Sequence, residues 1–294
     1  MSIAENNRDE ESNNNSDETS KVQDIQRSIS TIKHKFLVMS SQEDVGKTSV
    51  IVNLAISLSK RGVTVGLLDV NYHGPDIHRM LSLKPAVAGD LDKPFIPMPY
   101  SDDMIVASIE SMMQDRDEIG IWRNFLDISD IRWFIYSVNW GSLDYLFVDT
   151  PPCPGQALLT VVRAIWDAKI IIVTAPNGIS SDRANNMINF FRKEKIPIFG
   201  WIENMRGFLC QHCGVRQKLF SSGSGKRAVF LGDLPFLGQI PIDPHMNECV
   251  DAREPFLKMY PESEAAEGFN LIVDKILGVN KANWFESRST YYDL

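Results

Sequence analysis

From about residue 34 the chain alternates short apolar runs with segments of helical spacing. KFLVMS (35–40), VTVGLLDV (63–70), MIVASI (104–109), DYLFVDT (144–150), AKIIIVTAP (168–176), IPIFGWIEN (196–204) and PFLGQIP (235–241) read as strands. Several are near-continuous aliphatic stretches, which marks a parallel sheet covered on both faces. Between them, residues 48–62 have helical apolar spacing that stops at Gly62. Residues 121–139 and 262–278 carry the same signal, and no internal repeat is evident. The expected architecture is α/β: a doubly wound, mostly parallel sheet with helices on both faces, spanning residues 29–279.

The ends of the chain differ in kind. Residues 1–28 hold seven Asp/Glu and three Lys/Arg, a net of −4 within a whole-chain charge of −8. With so few apolar side chains this segment cannot bury enough surface to offset ordering entropy, so it reads as a disordered acidic tail. It lacks the basic start and apolar run of a signal peptide. Residues 280–294 read as an irregular C-terminal extension. The net negative charge disfavours nucleic acid as a partner. No apolar run approaches the roughly 18 residues that span a bilayer. The expectation is a cytoplasmic, soluble protein without membrane or nucleic-acid partners.

In doubly wound folds, ligands sit beyond the C-terminal ends of the strands. Three polar turns fall there: SQEDVGKT (41–48), DVNYHGPD (69–76) and DTPPCPG (149–155). Gly46-Lys47-Thr48 follows a strand and opens a helix, the context in which backbone N–H groups and a helix N-terminus hold phosphates. Lys47 would reach the terminal phosphates and the Thr48 hydroxyl would ligate Mg²⁺. Asp149, ending DYLFVD, fits a carboxylate that holds Mg²⁺ through water. A lone GKT is a weak signal; the three turns together are stronger.

These motifs, with others further along, resemble the Mrp (ApbC) family of iron–sulfur cluster carriers within the MinD-type deviant-Walker P-loop NTPases. The family's SGKGGVGKS corresponds to SSQEDVGKT (40–48), and its DxDxxGPSIPRMLG-like stretch to DVNYHGPDIHRMLS (69–82). WGxLDYLxxDxPPGTGD is matched by WGSLDYLFVDTPPCPGQ (140–156), and ENMSGFxCPHCG by ENMRGFLCQHCG (203–214). FGSGGG is matched by FSSGSG (220–225), and PxLGxIPLDP by PFLGQIPIDP (235–244). The resemblance implies an ATPase with Val45, Gly46, Lys47, Thr48 and Ser49 as its phosphate loop. It implies Asp69 as a switch-strand acid near the metal, Asp149 as the Walker-B-like acid, Asn204 reading the adenine edge, and Pro241 and Asp243 beside the base.

The departures fall on hydrolysis. Gln42 stands where the family has a second lysine that reaches a partner's nucleotide, and it supplies no charge. Ser41, Glu43 and Asp44 replace glycines that permit φ > 0 and close backbone approach. Asn71 replaces an Asp and cannot accept a proton as a carboxylate does. Cys153-Pro154-Gly155-Gln156 replaces GTGD in the loop that would sense the γ-phosphate. The expectation is residual ATP binding with weak or absent hydrolysis. The alternative is that Glu43 and Asp44 point outward and the loop still works.

Cys210-Gln211-His212-Cys213 places two thiols at chelate spacing, in a knuckle near residues 206–220. One pair offers two ligands, and two copies meeting at a two-fold axis offer four. The residues leave an iron–sulfur cluster, Zn²⁺ or a redox dithiol open. The resemblance implies a labile [4Fe–4S] cluster bridging a dimer and delivered to apo-proteins. Other readings are a zinc-bridged dimer, a non-hydrolysing scaffold paired with an active paralogue, and a MinD-like positioning protein; the CxxC disfavours the last. Cys153 reads as a small turn residue, Cys249 as part of a helical segment, and His212 as a knuckle residue rather than a ligand.

Overall fold

The computed structural model describes residues 29–40, 42, 44–72, 74–84, 94–112, 128–151, 155–176, 180–209, 215–217 and 233–278. The expectations for the acidic tail, the C-terminal extension, Ser41, Glu43, Cys153, Cys210, His212 and Cys213 lie outside these residues.

Eight strands form one sheet: β1 (His34–Ser40), β2 (Val65–Asp69), β3 (Met98–Ser101), β4 (Met104–Ser108), β5 (Tyr145–Asp149), β6 (Lys169–Thr174), β7 (Ile198–Glu203) and β10 (Phe236–Gln239). Their order is β10-β7-β6-β1-β5-β2-β4-β3. Every pairing is parallel except β3 with β4. β8 (Phe208–Leu209) and β9 (Arg216–Gln217) form a separate antiparallel pair. The chain runs from β1 to β2 on one side of the sheet's centre and later fills β6, β7 and β10 on the other. That reversal opens a crevice beyond the C-terminal end of β1.

Both faces of the sheet are buried, which explains the unbroken aliphatic runs. Phe36 and Val38 of β1 join one core, with α1 (Lys47–Ser59), α7 (Phe256–Met259) and α8 (Glu264–Ile276). Leu37 and Met39 join the other, with α3 (Ile128–Ser137), α4 (Gln156–Ala164) and α5 (Ser180–Lys193). Two further helices, α2 (Ile77–Met80) and α6 (His245–Ala252), flank the C-terminal end of the sheet. α1 lies between the sheet and α8 and is apolar nearly all round, as a helix buried on all sides must be. Its buried polar residues are partnered: Asn53 Nδ2 donates to Ser49 O (2.8 Å), Asn53 Oδ1 accepts from Leu257 N (3.3 Å), and Ser57 Oγ donates to Asn270 Oδ1 (2.7 Å). These bonds fix the angle at which α1 presents its first turn to the crevice.

The helix expected over 121–139 is observed at Ile128–Ser137; residues 121–127 fall outside the described set. β3 carries a proline and alternates only weakly, as an edge strand can. α5 packs a stripe of Ala184, Met187, Ile188 and Phe191 on the second core, with the half-buried Phe190 beside it, and most of its other residues are polar. Cys249 lies in α6 and is buried and free.

Candidate functional site

β1 ends at Ser40, whose hydroxyl donates to Gln42 O (2.6 Å) and turns the chain. Asp44 follows in the left-handed region at φ 59 and is exposed, which supports the outward reading for this acid. Asp tolerates that conformation better than most residues. Gly46, at φ 75, is the residue before α1. A Cβ on it would lie 2.5 Å from Asn204 Nδ2, so the position needs glycine twice over. α1 has no side-chain cap at this end, so the N–H groups of Lys47, Thr48 and Ser49 remain without helix partners.

The next two side chains meet the end of β5. Lys47 Nζ is ion-paired with Asp149 Oδ1 and donates to Thr150 O (2.9 Å). Thr48 Oγ1 donates to Asp149 Oδ2 (2.6 Å). Asp149 is fully buried and Lys47 is 9% exposed. Asp69 ends β2 in register with Asp149, also fully buried. Its carboxylate accepts from Asn71 N (3.1 Å) and Ile77 N (3.4 Å). Burial pushes the Lys47 ammonium down to about 7 and the Asp69 carboxyl up to about 7, while their mutual attraction partly opposes both shifts. Asn71 Nδ2 donates to Gly74 O (3.4 Å), and its Oδ1 is a buried atom without a partner.

The residues expected to hold the base divide. Asn204 is buried at the end of β7; its N–H donates to Thr174 O (2.8 Å) and its Nδ2 to Val45 O (2.8 Å). Its amide is therefore bound to the phosphate loop. Pro241 and Asp243, just past β10, line a cavity of about 510 Å³ together with His245, Tyr260 and Ser263. Asp243 Oδ1 lies 2.7 Å from His245 Nδ1, and the His245 ring stacks on Tyr260 at 4.3 Å. Sequence reasoning missed Thr150, His245 and Tyr260. Thr150 acts through its carbonyl, which residue type does not announce. His245 directly follows the PIDP motif, a signal that was available.

A family model described as ParA, NUBPL iron-transfer P-loop NTPase, matches residues 31–277. The chain belongs to this family. Among the family's curated relatives, an iron–sulfur cluster carrier protein of Saccharolobus solfataricus is 34% identical over 260 residues, covering 88% of each chain. A cytosolic Fe–S cluster assembly factor, the NUBP2 homologue of Dictyostelium discoideum, is 36% identical over 249 residues, covering 83% of this chain and 94% of the relative. Among solved structures, a nucleotide-binding protein of Archaeoglobus fulgidus in complex with ADP aligns with a TM-score of 0.64 at 29% identity, covering 83% of this chain and 98% of that one. MinD of Pyrococcus horikoshii, complexed with Mg-ADP, aligns at 0.63 and 20% identity, covering 87% and 99%, and shows the shared fold. This iron-transfer P-loop NTPase is thus a member of the iron–sulfur cluster carrier and assembly factors. Among its described residues no helix is long and apolar enough to cross a membrane.

Proposed function

We propose that this protein carries a [4Fe–4S] cluster as cargo between two copies of the CxxC-bearing chain, through Cys210 and Cys213, and delivers it to apo-proteins in the cytoplasm. MgATP is held at the end of β1 and hydrolysed slowly or not at all. The observation that carries the reading is the Lys47–Thr48–Asp149 clasp in a chain of the iron-transfer family that keeps both cysteines.

The residues at the clasp fit a magnesium nucleotide. Three uncapped N–H groups face the crevice at the start of α1, where phosphate oxygens are favoured. Lys47 would exchange Asp149 for β- and γ-phosphate oxygens, and the Thr48 hydroxyl would turn to Mg²⁺. Asp69 and Asp149 would hold the ion through its waters. The ion would neutralise phosphate charge. The cavity at Pro241 and Asp243 is roomy enough for the base. Asn71 can orient a water through its unpartnered Oδ1 but cannot take its proton, which supports slow hydrolysis.

The absent second lysine at Gln42 favours one variation: the second chain of the dimer is a paralogue that supplies that charge in place of an identical copy. Anaerobic loading with iron and sulfide tests the main reading. It predicts absorption near ~400 nm, about four irons per two chains, and activation of an apo-[4Fe–4S] acceptor. A Cys210→Ser, Cys213→Ser variant that binds the same iron would remove the knuckle from the account, and zinc alone in the purified protein would favour a zinc-bridged dimer.

A further inference from the structure

α2 (Ile77–Met80) is a single turn, too short to hold a position by itself. Three ties place it. At its start Ile77 N donates to Asp69 Oδ2 (3.4 Å). On its flank His78 Nδ1 lies 2.7 Å from Glu110 Oε2, and Arg79 Nη2 lies 3.6 Å from Glu110 Oε1. Past its end Ser82 Oγ donates to Arg253 O, beside α6.

His78 and Glu110 are 4% and 5% exposed. Glu110 sits in the 3₁₀ turn Ile109–Met112 that follows β4, and its N–H donates to Ser108 Oγ (3.3 Å). Ser108 ends β4 in register with Asp69, the last residue of β2. Asp69 and Glu110 therefore leave neighbouring strands and hold α2 from two sides, one through its backbone and one through a side chain. The pair is a feature of this chain: the stretch that residues 69–82 resemble, DxDxxGPSIPRMLG, has a proline where His78 stands, and proline offers a carboxylate no donor.

The same turn has Asn71 in place of its second acid, which leaves Asp69 as its fully buried carboxylate. Two N–H groups support that carboxylate, Asn71 N at 3.1 Å and Ile77 N at 3.4 Å. The Ile77 bond is close to the length at which a hydrogen bond ceases, so a small shift of α2 decides whether it is made. Donors of this kind orient a carboxylate toward the ion it serves, and their loss weakens metal binding.

We propose that Glu110 and His78 are positioning residues for Asp69: by its reach to His78, Glu110 keeps the Ile77 N–H on the Asp69 carboxylate and so sets how strongly the nucleotide site takes Mg²⁺. The proposal rests on the reading that Asp69 holds the ion through its waters.

The test is calorimetric binding of ADP to the full chain, with Mg²⁺ and with EDTA. The ratio of the two dissociation constants reports what Mg²⁺ adds. Glu110→Ala and His78→Ala should lower that ratio by about fivefold or more and leave the constant in EDTA within about twofold of the wild type. Glu110→Asp keeps the charge and withdraws it by one methylene. It should lower the ratio likewise, and it carries the comparison where a truncation fails to fold. Glu110→Gln keeps the reach, because its Oε1 accepts from His78 Nδ1, and should hold the ratio within about twofold of the wild type. A wild-type ratio in the Ala and Asp variants overturns the proposal and leaves nucleotide binding standing. So does an equal loss with and without Mg²⁺, which marks a merely structural pair, or a Gln variant that loses as much as the Asp variant, which assigns the effect to charge. A wild type whose ADP affinity is indifferent to Mg²⁺ removes the reading of Asp69 and the proposal with it, and a wild type that binds no ADP removes the nucleotide site itself.

Discussion

The turn at the end of β1 is two regions of opposite character. From Val45 to Thr48 the residues are tied into the fold: Val45 by Asn204, Lys47 by Asp149 and Thr150, Thr48 by Asp149. At Asp44, one residue earlier, the chain is exposed and left-handed. In the proposed function phosphate and metal binding use the first region, and the trans-acting lysine and loop glycines that the family resemblance implies would belong to the second. The contrast teaches that binding and hydrolysis can be lost separately. The binding half is held by buried contacts whose loss also costs stability, whereas the other half can change its residues at little structural cost.

The contrast breaks most severely at Lys47. Lys47→Ala leaves the Asp149 carboxylate buried without its partner, and the ligand-free protein should lose about 3 kcal/mol in denaturant unfolding. MgADP affinity should fall about 100-fold in the same variant. Gly46→Ala comes next. Its Cβ would collide with Asn204 Nδ2 at a backbone angle that disfavours alanine, so about 2 kcal/mol should be lost, read from the same unfolding curves. A smaller effect is a proton count. Burial lowers Lys47 to about 7, while the Asp149 carboxylate beside it favours the charged form, so a fraction of the ligand-free amine is neutral at pH 8. Phosphate oxygens raise its pKa, so MgADP binding at pH 8 should take up a fraction of a proton, measured by calorimetry in buffers of different ionisation enthalpy. Asp69, raised to about 7, is already ionised at pH 8 and adds little. At pH 6 Lys47 is already charged and Asp69 protonated; Mg²⁺ favours the ionised carboxylate, so the sign should reverse to release. The smallest effect is at Asp44→Gly. Removing an exposed left-handed side chain should raise stability by no more than about 1 kcal/mol and MgADP affinity by less than about tenfold.

Much of this was legible in the residues. The aliphatic strands, the doubly wound class and the polar turns beyond β1, β2 and β5 follow from periodicity and turn chemistry. The strand order and the register that set Lys47 and Thr48 against Asp149 came from the structure. What was hidden lies in contacts that residue type does not encode. Asn204 was expected at the base edge, and its amide nitrogen is on Val45 O, a pairing across 159 positions of sequence. Asp44 stands where the family has a glycine, and residue type alone left its direction open; a left-handed turn leaves it exposed. The Thr150 carbonyl that holds Lys47 has no sequence signature.

The measurement closest to the central claim is MgATP binding and turnover on one sample of the full chain. The account predicts saturable MgATP binding that Lys47→Ala weakens about 100-fold, with turnover well below the roughly 1 s⁻¹ at the low end of ordinary enzymes. Turnover in the ordinary range, lost in Lys47→Ala, would contradict it, because the changed half of the loop and Asn71 would then be no obstacle to hydrolysis.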